Sequence, residues 1–259
     1  GSPSSTTRVN SQAQLDALAG CVDLLGDWEF NGGGYTNTDS LVNIQTVQGS
    51  LEFKSFQGVH GSAPFIGNTS DNIQISIKMP NLQSVGGRLQ FSNQCRTDLL
   101  YFPALTSVGS QLSIDGNVLD SLNFEALTNI DEIYIANNGN HNGHWQNSEF
   151  EIHTFNSLTS LNQLKISNNN YLPRTLVALG GFNSLTSLNN LEIYNNYELE
   201  SCCKLIDLAS ITQSNTSIQN NGTNCSSLIT TANNCIGVPY CGSPSSTTRV
   251  NSQAQLDAL

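Results

Sequence analysis

The sequence is poor in charge, and in positive charge above all. Charged residues make up 11% of the chain, and Lys and Arg together number nine against twenty Asp and Glu. A net charge of −11 with so few basic residues argues against binding to a phosphate backbone, so we expect no nucleic-acid partner. The surface is instead rich in Asn, Ser and Thr, as is common in secreted and cell-surface β proteins.

Long apolar runs and metal-binding motifs are also missing. No stretch approaches the ~20 apolar residues that a helix needs to cross a bilayer, so direct membrane insertion is not expected. The cysteines lack paired C-x-x-C spacing, and the H-N-G-H run of His141 and His144 has no third ligand nearby in sequence. We therefore expect no metal and no cofactor.

The cysteines indicate an oxidising compartment. Five of the seven crowd into the last forty residues before position 242, which favours disulfides over a metal site. The odd number leaves one thiol that is either buried and free or bonded to a neighbouring copy of the domain. The candidates are Cys21, Cys95, Cys202, Cys203, Cys225, Cys235 and Cys241.

The chain begins and ends with the same eighteen residues, 1–18 and 242–259. We interpret residues 1–241 as one repeat unit and 242–259 as the linker and capping helix of an identical next unit; the alternative is a duplication introduced in cloning. In an array, neighbouring units are the partners of this one. Val250, Leu256 and Leu259 are then expected to pack on the next unit.

A shorter repeat lies inside this unit. The segment FNSLTSLNQLKISNNNYL from Phe155 recurs, nearly unchanged, 27 residues later from Phe182. The same pattern of an apolar residue, a leucine and an alternating strand recurs along the chain, and its inward pairs are Trp28/Phe30, Leu51/Phe53, Leu89/Phe91, Leu112/Ile114, Ile133/Ile135, Leu164/Ile166 and Leu191/Ile193. The fold class predicted is mainly β, a right-handed single-domain β-solenoid of about seven rungs.

Turns and caps complete the predicted solenoid. Asn93, Asn137, Asn168 and Asn195 each stand two residues after a strand pair, and we expect their side chains to point inward and bind backbone groups. Ser11 is the predicted N-cap of an opening helix that buries Leu15 and Leu18 and ends at Gly20. Short helices are expected near residues 202–211 and 226–234.

The chain resembles the receptor L-domain family, a leucine-rich β-helix of receptor ectodomains and bacterial surface proteins. The resemblance is carried by the opening helix that ends in Cys21, by LLGDWEF, and by the rungs LVNIQTVQGSLEF, MPNLQSVGGRLQF and FPALTSVGSQLSI. Gly49 and Gly87 precede two of these strands by two residues. It covers residues 9–200 and implies an extracellular recognition or structural module of the bacterial tandem-repeat type, not an enzyme.

Two insertions interrupt the repeat, at residues 54–72 and 137–151. Both leave the same end of their strands, so they either fold over the side of the solenoid or form one ligand-binding patch. Flat aromatic faces among amides suit glycans or a protein partner. The residues of this patch are Phe56, His60, Phe65, His141, His144 and Trp145.

Glycosylation signals are present but weak. Asn68, Asn215, Asn221 and Asn224 lie in Asn-x-Ser/Thr sequons. Ser40 and Ser121 lie in Asp-Ser-Leu triplets that resemble a bacterial O-glycosylation sequon.

The function expected is that of a secreted or cell-surface structural unit, linked head to tail in a fibre or adhesin stalk. The alternative is a discrete glycan- or protein-binding module that uses the two inserted loops. An enzyme is not expected, because the outward strand positions carry no acidic pair that recurs between rungs.

Overall fold

The secondary structure is almost entirely β. The computed structural model describes residues 5–35, 37–58, 75–92, 97–117, 119, 121–138, 148–152, 154–169, 174–179, 181–199, 202, 205, 215–222 and 225. Its elements are β1 (Thr7–Val9), α1 (Gln12–Asp16), β2 (Asp23–Leu24), β3 (Trp28–Tyr35), a 3-10 turn (Asp39–Leu41), β4 (Thr46–Val47), β5 (Leu51–Gly58), β6 (Ile75–Lys78), β7 (Ser84–Val85), β8 (Leu89–Ser92), β9 (Thr97–Tyr101), β10 (Ser107–Val108), β11 (Gln111–Asp115), β12 (Ser121–Asn123), β13 (Glu132–Ala136), β14 (Ser148–Ile152), β15 (Ser160–Ser167), β16 (Arg174–Leu179), β17 (Ser187–Tyr194) and β18 (Thr216–Gln219).

One long parallel sheet forms the main wall of the solenoid. Its strand order is β1-β3-β5-β8-β11-β13-β15-β17-β18, so each coil of the chain adds one strand beside the previous one. All seven predicted strand pairs occupy consecutive positions in this sheet and align in register, as Leu112 does with Ile133 and Ile133 with Leu164. The predicted β-solenoid is confirmed, and the sheet gains β1 and β18 at its two ends.

Shorter parallel sheets form the other walls, with the orders β10-β7-β4-β2, β12-β9-β6 and β14-β16. The coils approach closely at the corner after the β4-β7-β10 wall. A Cβ at Gly86 would overlap the carbonyl oxygen of Gln48, and one at Gly109 would overlap that of Gly86. Only glycine fits where one coil lies directly on the next.

The core consists of side-chain columns that run along the solenoid. The column from the long sheet includes stacked rings, with centroids 5.0 Å apart for Phe30 and Phe53. A second aromatic column comes from the turns, where Phe124 stacks between neighbours at 5.3 and 5.8 Å. The members of this second column are Phe102, Phe124, Phe155 and Phe182. The expected ladder of Leu, Ile and Phe is therefore joined by a second aromatic ladder.

The prediction of which asparagines point inward was wrong by one residue along the chain. Asn137, Asn168 and Asn195 adopt positive φ angles of 54°, 57° and 56°, and they are partly exposed. The residue after each of them points inward. The buried ladder consists of Asn117, Asn138, Asn169, Asn196 and Asn221. Asn93 lies outside the described residues.

The side chain of each rung satisfies backbone groups of the preceding coil. The Asn169 side-chain oxygen accepts hydrogen bonds from the backbone N–H of Asn138 at 3.0 Å and from the Asn138 amide at 3.0 Å. The Asn169 amide nitrogen donates to the carbonyl of Ile135 at 3.0 Å. The ladder thus pairs polar groups that the tight coil would otherwise bury unsatisfied.

The N-terminal cap forms as predicted. Ser11 is the N-cap of α1, and its hydroxyl accepts a hydrogen bond from the Gln14 N–H at 3.3 Å. Leu15 and Leu18 are buried, and Gly20 has a φ of +90° where the chain turns away. The helices expected near 202–211 and 226–234 fall largely outside the described residues.

Candidate functional site

The duplicated segment has a defined place in the fold, since its first copy closes the N-terminal end of the solenoid. β1 pairs with β3, so that Val9 lies opposite Phe30 and is 3% exposed. The Thr7 N–H donates to the carbonyl of Asp27 at 2.8 Å. This short strand covers the open edge of the long sheet, while α1 covers the end of the apolar core.

Side-chain hydrogen bonds tie the cap to the first coil. The buried hydroxyl of Tyr35 donates to the Val9 carbonyl. Gln12 accepts through Oε1 from the backbone N–H of Asn37 at 3.4 Å. Ser40, one of the O-glycosylation candidates, donates through Oγ to Asp16 at 3.2 Å. The cap is therefore specific to the surface of this coil.

A buried carboxylate also connects the cap to the sheet. Glu29 is 5% exposed and meets Arg8 of β1 at 3.3 Å and Lys54 of β5 at 3.0 Å. The hydrogen bond from Asn31, at 3.0 Å, is the largest cause that lowers the pKa of Glu29, and Lys54 and Arg8 add to it against the opposing effect of burial. Glu29 thus holds the cap electrostatically as a carboxylate.

The second copy of this segment lies outside the described residues, and so do Val250, Leu256 and Leu259. Its sequence is identical to the cap, and Arg249 and Val250 correspond to Arg8 and Val9.

The N-terminal end also exposes apolar side chains that sequence reasoning missed. Val22 and Leu25, which flank the edge strand β2, are 43% and 65% exposed. The adjacent Cys21 is a free, half-buried thiol. Periodicity places residues on faces, but it does not show that β2 is the last strand of its sheet.

The C-terminal end carries a disulfide. Cys202 and Cys225 are bonded, with Cα atoms 5.8 Å apart, and both are buried against the last coils. The other cysteine candidates, Cys95, Cys203, Cys235 and Cys241, lie outside the described residues.

The predicted loop patch is shorter than the insertions suggested. Strand β5 continues through Gly58 and includes Phe56, so residues 54–58 are strand and not loop. The second insertion likewise ends in strand β14, which starts at Ser148. Both extensions pair with neighbouring strands, which the irregular sequence did not reveal. The other candidates, His60, Phe65, His141, His144 and Trp145, lie outside the described residues.

The glycosylation candidates occupy different environments. Asn215 and Ser121 are exposed, whereas Asn68 and Asn224 lie outside the described residues. Asn221 is the last rung of the buried ladder, and its amide nitrogen donates to the carbonyl of Ile193 at 2.8 Å. A glycan on this nitrogen is incompatible with the folded ladder.

A polar and aromatic cluster stands on the outer face of the long sheet. Tyr134, Lys165 and Glu192 occupy one row across β13, β15 and β17, and Tyr194 occupies the next row. The Lys165 ammonium lies 2.9 Å from the Glu192 carboxylate, 5.9 Å from the ring centre of Tyr134 and 5.4 Å from that of Tyr194. We call Tyr134, Lys165, Glu192 and Tyr194 the tyrosine strip.

The described part of the chain holds no group of three or more His, Cys, Asp or Glu side chains close enough to bind a metal ion. No helix within these residues is both long and apolar enough to span a bilayer.

Comparison with known proteins gives one informative similarity. The chain is 27% identical over 168 residues to the cell wall protein ecm33 of Schizosaccharomyces pombe, a match that covers 63% of this chain and 34% of that protein. No family model and no solved structure matches. The similarity and the β-solenoid fit an L-domain-like family, and with the disulfide they are consistent with a secreted or cell-surface protein.

Proposed function

We propose that this chain is an extracellular structural unit, repeated head to tail in a cell-wall or surface fibre. The observation that carries the proposal is the identity of residues 1–18 and 242–259, taken with the capping role of the first copy. Similarity to a cell wall protein supports the cell-wall setting. The role is structural rather than catalytic.

The second copy needs a solenoid coil of its own. In the first copy, Val9, Leu15 and Leu18 are buried against the first coil, and Arg8 pairs with Glu29. The same side chains recur in residues 242–259. Apolar residues of this kind are stabilising only when buried, which supports the proposed array, in which an identical first coil buries them. A net charge of −11 would keep the array of units soluble and extended.

A two-unit protein tests the proposal. We expect Leu256→Asp, placed at the joint between two units, to lower the unfolding temperature of the downstream unit, because it removes the apolar anchor of that unit's cap. The matched control is the same substitution in the 259-residue chain, which has no downstream coil and should unfold as the wild type does. Equal stability of both two-unit proteins would refute a structural joint, as would a gene that lacks in-register copies.

The cysteines offer a second measurement on the same protein. Cys21 is free and lies beside the exposed Val22 and Leu25. We propose that a cysteine of one unit bonds to its neighbour at this joint. Non-reducing mass spectrometry of the two-unit protein should then show a peptide cross-link between units. Cross-links confined to single units, with one free thiol in each, would contradict it.

A further inference from the structure

The tyrosine strip lies on a part of the long sheet where two neighbouring outward side chains are small. In the row of Tyr194, the neighbouring strands contribute Ser167 and Ala136. Both are completely buried, although their side chains point away from the apolar core. Larger neighbouring side chains therefore cover Ser167 and Ala136.

The cluster is ordered by its own contacts. Lys165 forms an ion pair with Glu192 and contacts both rings, so it fixes the two tyrosines on either side of one ammonium. The Gln163 amide donates to the other oxygen of Glu192 at 3.3 Å. Tyr134 and Tyr194 remain partly exposed, and Lys165 keeps 29% of its side-chain surface in solvent. Aromatic rings and polar groups thus share one partly exposed surface.

The spacing of the rings follows from the strand register. Tyr134 is on β13 and Tyr194 on β17, with β15 between them. Neighbouring strands are ~4.8 Å apart, so the two positions are separated by ~10 Å along the solenoid axis. This axial separation is close to the repeat of an extended β-linked sugar chain, in which alternate sugars present the same face. Because Tyr194 lies one row beyond Tyr134, a chain that contacts both rings would cross the strands diagonally. The intervening ammonium, carboxylate and amide lie where hydroxyl groups of that chain would need partners.

The acidic charge near the tyrosine strip favours uncharged sugar chains over anionic ones. Glu192 pairs with the ammonium of Lys165, and Asp115 and Glu132 lie on neighbouring strands of the same sheet face. The whole chain is also acidic, with a net charge of −11. Anionic polysaccharides are therefore disfavoured, and uncharged ones are not.

We propose that the tyrosine strip is a binding site for an extended, uncharged β-linked oligosaccharide that stacks on Tyr134 and Tyr194 and hydrogen-bonds to Lys165 and Glu192. This goes beyond the structural role and does not depend on tandem repetition, because every residue involved belongs to one unit. It also differs from the loop patch considered above.

Titration of the 259-residue chain with cellohexaose, followed by NMR chemical shifts, tests the site. We expect saturable binding by the wild type, and a loss of roughly 2- to 10-fold in affinity for Tyr134→Ala and for Tyr194→Ala. Tyr197→Ala is the matched control, because Tyr197 is an exposed tyrosine outside the strip and should bind normally. The coiled, α-linked maltohexaose and the anionic hexagalacturonate should bind more weakly.

Circular dichroism on each variant separates loss of the site from loss of the fold. The proposal is overturned if the wild type does not bind cellohexaose, or if folded Tyr134→Ala and Tyr194→Ala bind as the wild type does. Binding that is lost in Trp145→Ala but kept in the strip variants would assign the site to the inserted loops instead.

Discussion

Asn169 and Asn138 are 31 residues apart in sequence, yet the Asn169 side-chain oxygen accepts the Asn138 backbone N–H at 3.0 Å. The same contact recurs one coil further on, where Asn196 accepts from the N–H of Asn169 at 3.1 Å. Side chains thus connect each coil to the next inside the solenoid, in parallel with the backbone hydrogen bonds of its walls.

Removing one rung should be costly. Asn169→Ala leaves the Asn138 N–H and the Ile135 carbonyl without their partners in the core. We expect the free energy of unfolding to fall by about 2–4 kcal/mol, measured by urea denaturation. Asn183→Ala is the control, since Asn183 is exposed and donates to Asn156 on the surface, and should cost well under half as much. Similar losses for both variants would contradict the ladder's role.

The left-handed asparagines should behave differently from the buried ones. Asn168 has a φ of 57°, a conformation that glycine adopts without strain. Asn168→Gly should therefore be nearly neutral, whereas Asn168→Ala should cost about 1–2 kcal/mol. Thermal unfolding of the two variants checks the order. If alanine were tolerated as well as glycine, the left-handed backbone conformation of residue 168 would not determine the cost of substitution.

Phe124 lies in the middle of the turn-derived aromatic column and is fully buried. Phe124→Ala should lower the free energy of unfolding by about 3–5 kcal/mol, because it removes stacking on both sides and leaves a cavity. Tyr197→Ala removes an exposed ring of similar size and should change stability by less than about 0.5 kcal/mol. Chemical denaturation measures both.

The disulfide should stabilise the C-terminal end. Cys202 and Cys225 are separated by 23 residues, and a loop of this size contributes about 3 kcal/mol when cross-linked. We expect the Cys202→Ala/Cys225→Ala variant to lose that amount, and with it the part of the wild-type response to reducing agents that comes from this bond. Cys21→Ser should keep the wild-type response to reduction, because Cys21 is a free thiol. An unchanged unfolding midpoint in the double variant would contradict this.

Acid should loosen the N-terminal cap. The pKa of Glu29 is lowered in the folded protein, mainly by the Asn31 hydrogen bond, so its stabilising contribution is complete above its ordinary pKa of about 4.3. The contribution begins to be lost as the pH falls below that value, and it is gone once the pH lies below the lowered pKa of the folded state. Glu29→Gln should flatten the fall in stability over this range, followed by thermal unfolding between pH 2 and 7. The exposed Glu125→Gln should keep the wild-type profile.

The sequence predicted the strands well because their inward pairs recur with period two. It misplaced the asparagine ladder because that alternation does not continue through a left-handed residue. The positive φ of Asn137 turns the backbone at this corner, so that Asn138 points inward instead. The tyrosine strip was not predicted. Its members on neighbouring strands are 27 to 31 residues apart in sequence, and only the register across coils brings the rings of Tyr134 and Tyr194 to the ammonium of Lys165.

The near-identity of the coils at Phe155 and Phe182 makes the length of the molecule adjustable. Unequal recombination that deletes residues 156–182 removes 27 residues and joins Phe155 directly to Asn183, which restores the reading FNSLTSL. Asn138 would then face Asn196 at the same 31-residue interval that now separates it from Asn169. Natural variants of this gene should therefore differ by whole coils, and each such step would shorten or lengthen the solenoid by one strand spacing of ~4.8 Å.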